Sequence, residues 1–356
     1  MLFVLILAAA IWFGGKRLSQ PVQARLYMLG LLYVLILVVN VLLPPGHPLR
    51  EATGGSAGEW LVLGGLALLV LAYRQILKRV KARAADNEAE VAAEEAEAKP
   101  QKPGTFGTAE LDRYARHIVL REIGGPGQKA LREARVLVLG AGGLGAPALQ
   151  YLAAAGVGTI GVIDDDLVEN ANLQRQVIHR DADIGMPKVF SAEAAMRAQN
   201  PHVTIRPYNR RFEDGIAADL VADYDLVLDG TDNFDTRYLV NRVAAAAGKP
   251  LVSGALSQWE GQLSVFDPAA GGPCYQCVFP ARPAPGLAPS CAEAGVLGPL
   301  PGVVGAMMAV EAVKLVTGAG APLRGEMLIY DALWGETRKI ALKRRDDCPV
   351  CGVPPA

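Results

Sequence analysis

Arg135-Val-Leu-Val-Leu139-Gly140-Ala-Gly142-Gly143-Leu-Gly145 carries a short, β-branched apolar run straight into a glycine loop. Ala148 to Ala155 follows as a helix of small residues, and Thr159-Ile-Gly-Val-Ile163 reads as the next strand, closing on Asp164. Strand, glycine turn, helix, strand and acid is the Rossmann order. In it the glycines let backbone approach phosphate, and the acid accepts from ribose hydroxyls. Alone, this order suits NAD or FAD, so a dehydrogenase is the rival reading, marked by NAD binding without ATP binding.

Outward from this core the chain carries more than a dehydrogenase requires. The run Asp164-Asp165-Asp166 is followed by Asn172-Leu173-Gln174-Arg175-Gln176, and Gly185-Met-Pro187-Lys188 adds another cation. Hydride transfer has no need of an arginine there, whereas a site that displaces phosphate needs cations on the triphosphate. Leu226-Val-Leu-Asp-Gly-Thr-Asp232-Asn233 ends a strand with two acids suited to Mg²⁺. Singly, Asp166 reads as a helix cap, Arg175 as the partner of a surface acid and Lys188 as a solvated lysine; jointly they make a site. Lys249 to Gly254 and Glu260 to Phe266 are two strands that extend the sheet. Cys274-x-x-Cys277 follows at once and Cys348-x-x-Cys351 farther on. Four thiolates in two such pairs suit tetrahedral zinc in a closed, structural site, a clamp on the C-terminal tail; the alternative is four unrelated buried thiols.

In this order the motifs resemble the MoeB–ThiF–HesA family of ubiquitin-activating-enzyme-like adenylyltransferases, over roughly Phe106 to Gly352. The resemblance implies a Rossmann-like α/β domain with a mixed sheet and helices on both faces. It also implies an enzyme that uses ATP and Mg²⁺ to activate the C-terminal glycine of a small ubiquitin-like sulfur-carrier protein ending in Gly-Gly. By that resemblance Gly140, Gly142, Gly143 and Gly145 cradle the nucleotide, and Asp164 holds the ribose. Asp166 lies near the metal-triphosphate, Asn172, Arg175 and Lys188 contact phosphates, and Asp232 binds Mg²⁺. Arg113-Tyr-Ala-Arg116-His117-Ile matches the family's N-terminal helix motif with His117 in place of Gln. In the family that second arginine reaches into a neighbour's site, which implies a homodimer. Arg282 to Ser290 resembles a crossover loop over the carrier tail, and Cys291 aligns with a cysteine that in some relatives takes part in sulfur transfer. A small residue opening the next helix is an equal reading of Cys291. No rhodanese-like segment follows Cys351, so a built-in sulfur donor is not expected. Within the family the molybdopterin-synthase activators are most similar, with the thiamine-pathway activators as the alternative. A membrane-tethered nucleotide-binding module without chemistry is the rival from another class.

The 356-residue chain has a net charge of -1, which gives no electrostatic case for nucleic acid. Its mean hydropathy of +0.23 is high for a soluble enzyme, and the excess sits at the N-terminus. Residues 1–15, 26–43 and 60–77 are apolar runs, and the middle one is long enough to span a bilayer. A signal peptide is disfavoured for the first run because Lys16-Arg17 follow it rather than precede it. Lys16, Arg17 and Arg25 on one side, with Lys78, Arg79, Lys81 and Arg83 beyond the third run, favour three spans over residues 1–83. The positive-inside rule then puts the N-terminus outside the inner (cell) membrane and the catalytic domain in the cytoplasm, with lipid as a partner. Residues 84–105, acidic and then proline-rich, read as a tether; the adenylation domain follows over 106–352. Five cysteines, four in pairs, suit metal ligation in a reducing compartment rather than a disulfide framework.

Overall fold

The computed structural model describes residues 2–97, 106–284 and 294–352, with backbone alone at 2, 67 and 82–97. It divides into two units, Met1–Pro100 and Gln101–Ala356. The first contains helices α1 (Leu2–Arg17), α2 (Val22–Leu42), α3 (Pro48–Ala52) and α4 (Ala57–Glu97). Many of their leucines are exposed: Leu31 is 70% and Leu69 69% exposed. Helices apolar on all sides suit a membrane span or the core of a larger protein. The polar contacts of this unit gather where α2, α3 and α4 meet. Asn40 donates to the Ile36 carbonyl at 2.9 Å and the Thr53 hydroxyl at 2.8 Å. Tyr33 donates to the Trp60 carbonyl at 2.7 Å. By length and composition, Val22–Leu42 and Pro48–Lys81 are each able to cross a membrane. At 16 residues, α1 extends about 24 Å, short of a hydrocarbon core of about 30 Å.

The tether expected from residue 84 is helical as far as Glu97, continuing α4 without a break. Alanine and glutamate are strong helix formers, and propagation from an existing helix avoids the cost of nucleation. Residues 98–105 lie outside the described residues.

The second unit opens with α5 (Thr108–Ile118) and α6 (Gly124–Glu133). Then come β1 (Arg135–Leu139), α7 (Gly145–Ala155), β2 (Thr159–Ile163), α8 (Lys188–Gln199), β3 (Thr204–Tyr208), α9 (Asp214–Ala222), β4 (Leu226–Asp229) and α10 (Phe234–Ala246). The chain continues through β5 (Leu251–Leu256), β6 (Glu260–Phe266), the single turn α11 (Tyr275–Val278), α12 (Pro299–Thr317), β7 (Glu326–Asp331) and β8 (Glu336–Ala341). One mixed sheet runs β3-β2-β1-β4-β5-β6-β7-β8. Strands β1 to β5 are parallel, and β6, β7 and β8 add on antiparallel. Strand order reverses between β1 and β4, and in open parallel sheets that is where a crevice opens at the carboxyl ends.

Alternation along β1 splits the core between the two faces of the sheet. Val136 and Val138 pack with α7, α8 and α12 through Leu149, Leu152, Met196, Val304 and Met308. Leu137 and Leu139 pack with α9 and α10 through Val221, Val240 and Ala244. Like the N-terminal helices, α12 is apolar and long enough to cross a membrane. Leu300, Val304, Met308 and Ala312 are instead buried against the sheet.

The turn from β1 into α7 is closed by contact between two glycines. Gly140 has φ +89°, and a Cβ on Gly145 would lie 1.8 Å from the Gly140 carbonyl oxygen. Gly145→Ala is therefore expected to cost about 3 kcal/mol and to lower the unfolding temperature by roughly 10 °C. A variant melting with the wild type in a thermal scan would show that the loop relaxes around the methyl.

Candidate active site

The loops after β1, β2 and β4 converge on a cleft of about 970 Å³ at the strand-order reversal. Gly140, Gly142 and Gly143 form one wall, Asp164, Asp165 and Asp166 a second, and Gly230-Thr231-Asp232-Asn233 a third. The first wall is held rigidly. Asp164 accepts from the Ala141 N–H at 2.7 Å and from the Asp166 N–H at 2.8 Å. Burial raises the Asp164 pKa above the usual carboxylate value, and Lys188 opposes the rise. His179 is buried and bonds the Ala141 carbonyl at 2.9 Å through Nε2. The Ser191 hydroxyl lies 2.9 Å from His179 Nδ1 and donates to Asp183 at 2.7 Å. Burial lowers the His179 pKa, which favours the neutral ring.

Two cations enter from the region after β2. Lys188 is the first residue of α8, and its Nζ meets Asp166 Oδ2 at 2.6 Å with the lysine buried and the carboxylate exposed. Lys188 is thus anchored at the cleft rather than solvated. Arg175 lines the cleft too; it donates to Asn172 Oδ1 at 2.8 Å and to the Ala171 carbonyl at 3.3 Å. Asn172 donates to Glu169 at 3.2 Å and acts on the cleft by holding Arg175. Asp232 is exposed on the third wall and has no hydrogen bond or ion pair among the described residues, so its carboxylate is open to a cation.

The second acid at the end of β4 is committed elsewhere. Asp229 is 1% exposed and accepts from Thr231 Oγ1 at 2.6 Å, from the Thr231 N–H at 3.0 Å and from Ser253 Oγ at 3.2 Å. Arg237, on the buried face of α10, lies 3.5 Å from Asp229. Its guanidinium also donates to Gly254 O at 2.8 Å, to Ser253 Oγ at 3.3 Å and to Thr231 O. Arg237 was not among the residues singled out from sequence, nor were Arg210 and Arg211, which line the same cleft. The available signal was a charged residue one turn before Val240 and Asn241 on the face of the helix that also carries Ala244.

Among the described residues, the remaining candidates lie outside the cleft. Arg116 is exposed on α5 and does not line the cleft of its own chain. Its neighbour His117 places Nδ1 3.2 Å from Gln128 Oε1, and Gln128 donates to the Ala155 carbonyl at 2.8 Å. The substituted histidine therefore serves the packing of α5 on the Rossmann core. Cys291 falls outside the described residues. The paired cysteines come together: Cys274, Cys277, Cys348 and Cys351 are buried and unoxidised. Their sulfurs are 3.9 Å (Cys274–Cys277), 3.5 Å (Cys274–Cys348) and 3.4 Å (Cys277–Cys351) apart. Four thiolates about 2.3 Å from one ion would stand about 3.8 Å from each other, so the cluster fits a tetrahedral metal.

Fold and cleft together define a nucleotide-type α/β domain with an antiparallel extension and a separate four-thiolate cluster. The ThiF family matches residues 114–350, and the chain belongs to it. It is similar to the sulfur carrier protein adenylyltransferase of Thermus thermophilus, 51% identical over 250 residues, 69% of this chain and 92% of that one. The SAMP-activating enzyme E1 of Haloferax volcanii is 51% identical over 70% of this chain and 91% of its own. The molybdopterin-synthase adenylyltransferase of Escherichia coli K12 is 47% identical over 68% and 97%. Among solved structures, Escherichia coli MccB with ATP superposes at a TM-score of 0.60 with 22% identity, covering 70% of this chain and 77% of that one. At that identity the superposition speaks to the fold.

The Arg237–Asp229 pair sets a measurable expectation. Arg237→Met leaves Asp229 buried without its counter-charge and should cost about 3–5 kcal/mol. Adding Asp229→Asn should restore part of that loss, since the two changes share one interaction. Urea titration of the single and double variants reads both, and strictly additive losses would contradict the pairing.

Proposed function

We propose that this protein uses ATP to adenylate the C-terminal glycine of a small ubiquitin-like sulfur carrier, releasing pyrophosphate. The observation that carries this reading is the joint placement of Arg175, Lys188 and an uncommitted Asp232 around one glycine-walled cleft. The names borne by relatives about half identical over two-thirds of the chain support it. The carrier carboxylate attacks the α-phosphorus, an acyl–phosphate bond forms, and the bond to pyrophosphate breaks. The nucleophile is already ionised, so the site needs positioning and charge neutralisation rather than a general base. Glycine-loop N–H groups and Lys188 hold phosphate oxygens, Asn172 orients Arg175 toward them, and Asp164 receives the ribose. Bound at Asp232, Mg²⁺ would supply charge neutralisation on the phosphates. Zinc in the four-thiolate cluster would be structural, since every ligand position is filled by sulfur. Molybdopterin-synthase activation is the pathway we assign.

A carrier ending in Gly-Gly should support ATP–pyrophosphate exchange, and the same carrier without its last glycine should not. Asp232→Ala should lower exchange by about 10²–10³ while leaving the fold intact, because the side chain is exposed and makes no hydrogen bond or ion pair among the described residues. Near-normal exchange by that variant would remove the Mg²⁺ assignment.

The protein is further proposed to be a homodimer in which Arg116 completes the partner's cleft. This is supported by the exposure of Arg116 on α5, where it does not line its own chain's cleft. Arg116→Ala and Asp232→Ala should each be nearly inactive. Subunit exchange in an equimolar mixture should return activity to about a quarter of wild type, because half the dimers carry one intact composite site. No recovery, with exchange of subunits verified, would place Arg116 outside catalysis.

The N-terminal unit is proposed to anchor the enzyme in the inner membrane with the adenylation domain in the cytoplasm. The apolar surfaces of α2 and α4 support this, with Lys78, Arg79 and Lys81 following the apolar part of α4. A reporter after Arg83 should be cytoplasmic and one near Gly54 should not. Release of the protein from membranes by high salt alone would rule out integral spans.

A further inference from the structure

Helix α10 carries polar side chains at two buried positions four residues apart, Arg237 and Asn241, and that spacing puts them on one face. At its N-terminal end Asn233 caps the helix by accepting from the Thr236 N–H at 2.9 Å, so the helix starts directly from the third wall of the cleft. One turn in, Arg237 bonds the carbonyls of Thr231 and Gly254 and fixes the loop that presents Asp232. One turn farther, Asn241 is 2% exposed. Its Oδ1 accepts from the Tyr275 N–H at 2.8 Å, and its Nδ2 donates to Cys274 Sγ at 3.7 Å. Tyr275 follows Cys274 in sequence and packs edge-on to Tyr238 of α10, with ring centroids 5.5 Å apart. Tyr275 and Arg237 both line the cleft. One helix therefore starts at the cleft and, two turns along, meets the four-thiolate cluster through Asn241.

We infer that Asn241 is a positioning residue that couples metal occupancy at Cys274, Cys277, Cys348 and Cys351 to the nucleotide cleft through α10 and Arg237. The four sulfurs are gathered by three separate stretches of chain contact: the turn at Cys274–Cys277, the C-terminal pair, and the Asn241 amide that meets the Cys274 sulfur. A thiolate in a metal cluster keeps its charge and takes a hydrogen bond from a fixed amide, which orients the ligand. An ion thus fixes Cys274, Cys274 fixes Tyr275 and Asn241, and these fix the turn of α10 that bears Arg237. Such coupling is reciprocal, so a nucleotide in the cleft must tighten the cluster by the factor by which the metal tightens nucleotide binding. The inference rests on the cleft being the nucleotide site.

The test uses the full-length, zinc-loaded protein in detergent, with α,β-methylene-ATP and Mg²⁺ as the probe. Zinc release to a chromogenic chelator is followed with and without saturating analogue, and analogue binding is measured separately by calorimetry. In the wild type the analogue should slow release about fivefold, within the usual range of coupling between sites. Asn241→Ala should release zinc at least about tenfold faster, as expected when a ligand loses its hydrogen-bonding partner. In that variant the analogue should alter release less than about twofold, because the connection to α10 is gone. Asn241→Asp, which keeps the acceptor for Tyr275 and loses the donor to Cys274, should behave like Asn241→Ala if the sulfur contact carries the coupling, and this variant guards against a loss of fold in the alanine form. Analogue that binds the wild type without changing zinc release overturns the inference alone, as does a folded Asn241 variant that retains the full nucleotide effect. Failure of the analogue to bind, or isolation of the protein without metal, overturns it together with the function or metal reading on which it rests.

Discussion

Ala141, in the middle of the glycine loop, is gripped at both of its backbone polar groups. Asp164 takes its N–H and His179 its carbonyl, while Gly145 closes on the Gly140 carbonyl at a separation no side chain permits. A loop that would present N–H groups to phosphate, as proposed above, cannot also satisfy them internally. Outside bonds from β2 and from the segment before α8 fix it in advance. The order of the remaining walls follows: Asp166 and Lys188 depend on where Asp164 sits, and Arg175 on the turn held by Asn172.

The two ion pairs near the cleft do different work. Lys188 and Asp166 form a half-exposed pair, in which water screens the carboxylate and the net attraction is of the order of 1 kcal/mol or less. Its use is to hold the buried lysine at the cleft through a single, exposed partner. Arg237 and Asp229 are both buried, and such a pair survives only with its other donors and acceptors filled. Thr231, Ser253 and Gly254 fill them, so the pair is structural scaffolding at the end of β4. This division leaves Asp232 as the acid at the strand end whose charge is uncommitted.

The N-terminal unit instead leaves much of its apolar surface exposed. Many of its leucines are exposed, and its few polar contacts, around Asn40, Thr53 and Trp60, are inward. In the α/β unit α12 has a composition much like that of α2, yet its buried residues lie against the sheet. Hydropathy alone does not separate the two cases; what separates them is whether a complementary apolar surface stands nearby.

Local pattern settled a large part of this protein from sequence. Strands β1 and β2 fall where short β-branched apolar runs placed them, because a parallel strand covered on both faces reads as a continuous apolar run; the antiparallel β6 also falls on the residues expected for it. The glycine loop, Asp164, Arg175 and Lys188 were legible because each sits beside a turn whose chemistry is written in consecutive residues. The cysteine pairs announced a metal-type cluster by spacing, though only the fold brings the two pairs to 3.4–3.5 Å. Tertiary structure alone decided three things. It committed Asp229 to Arg237, since nothing in a strand-end acid reveals a partner eight residues on and across a helix face. It turned His117 into a packing contact with Gln128. It placed Arg237 and Asn241 on one buried face of α10, where the physical reason is desolvation: polar groups taken out of water must find one another, and which ones do so depends on the elements that the fold sets side by side.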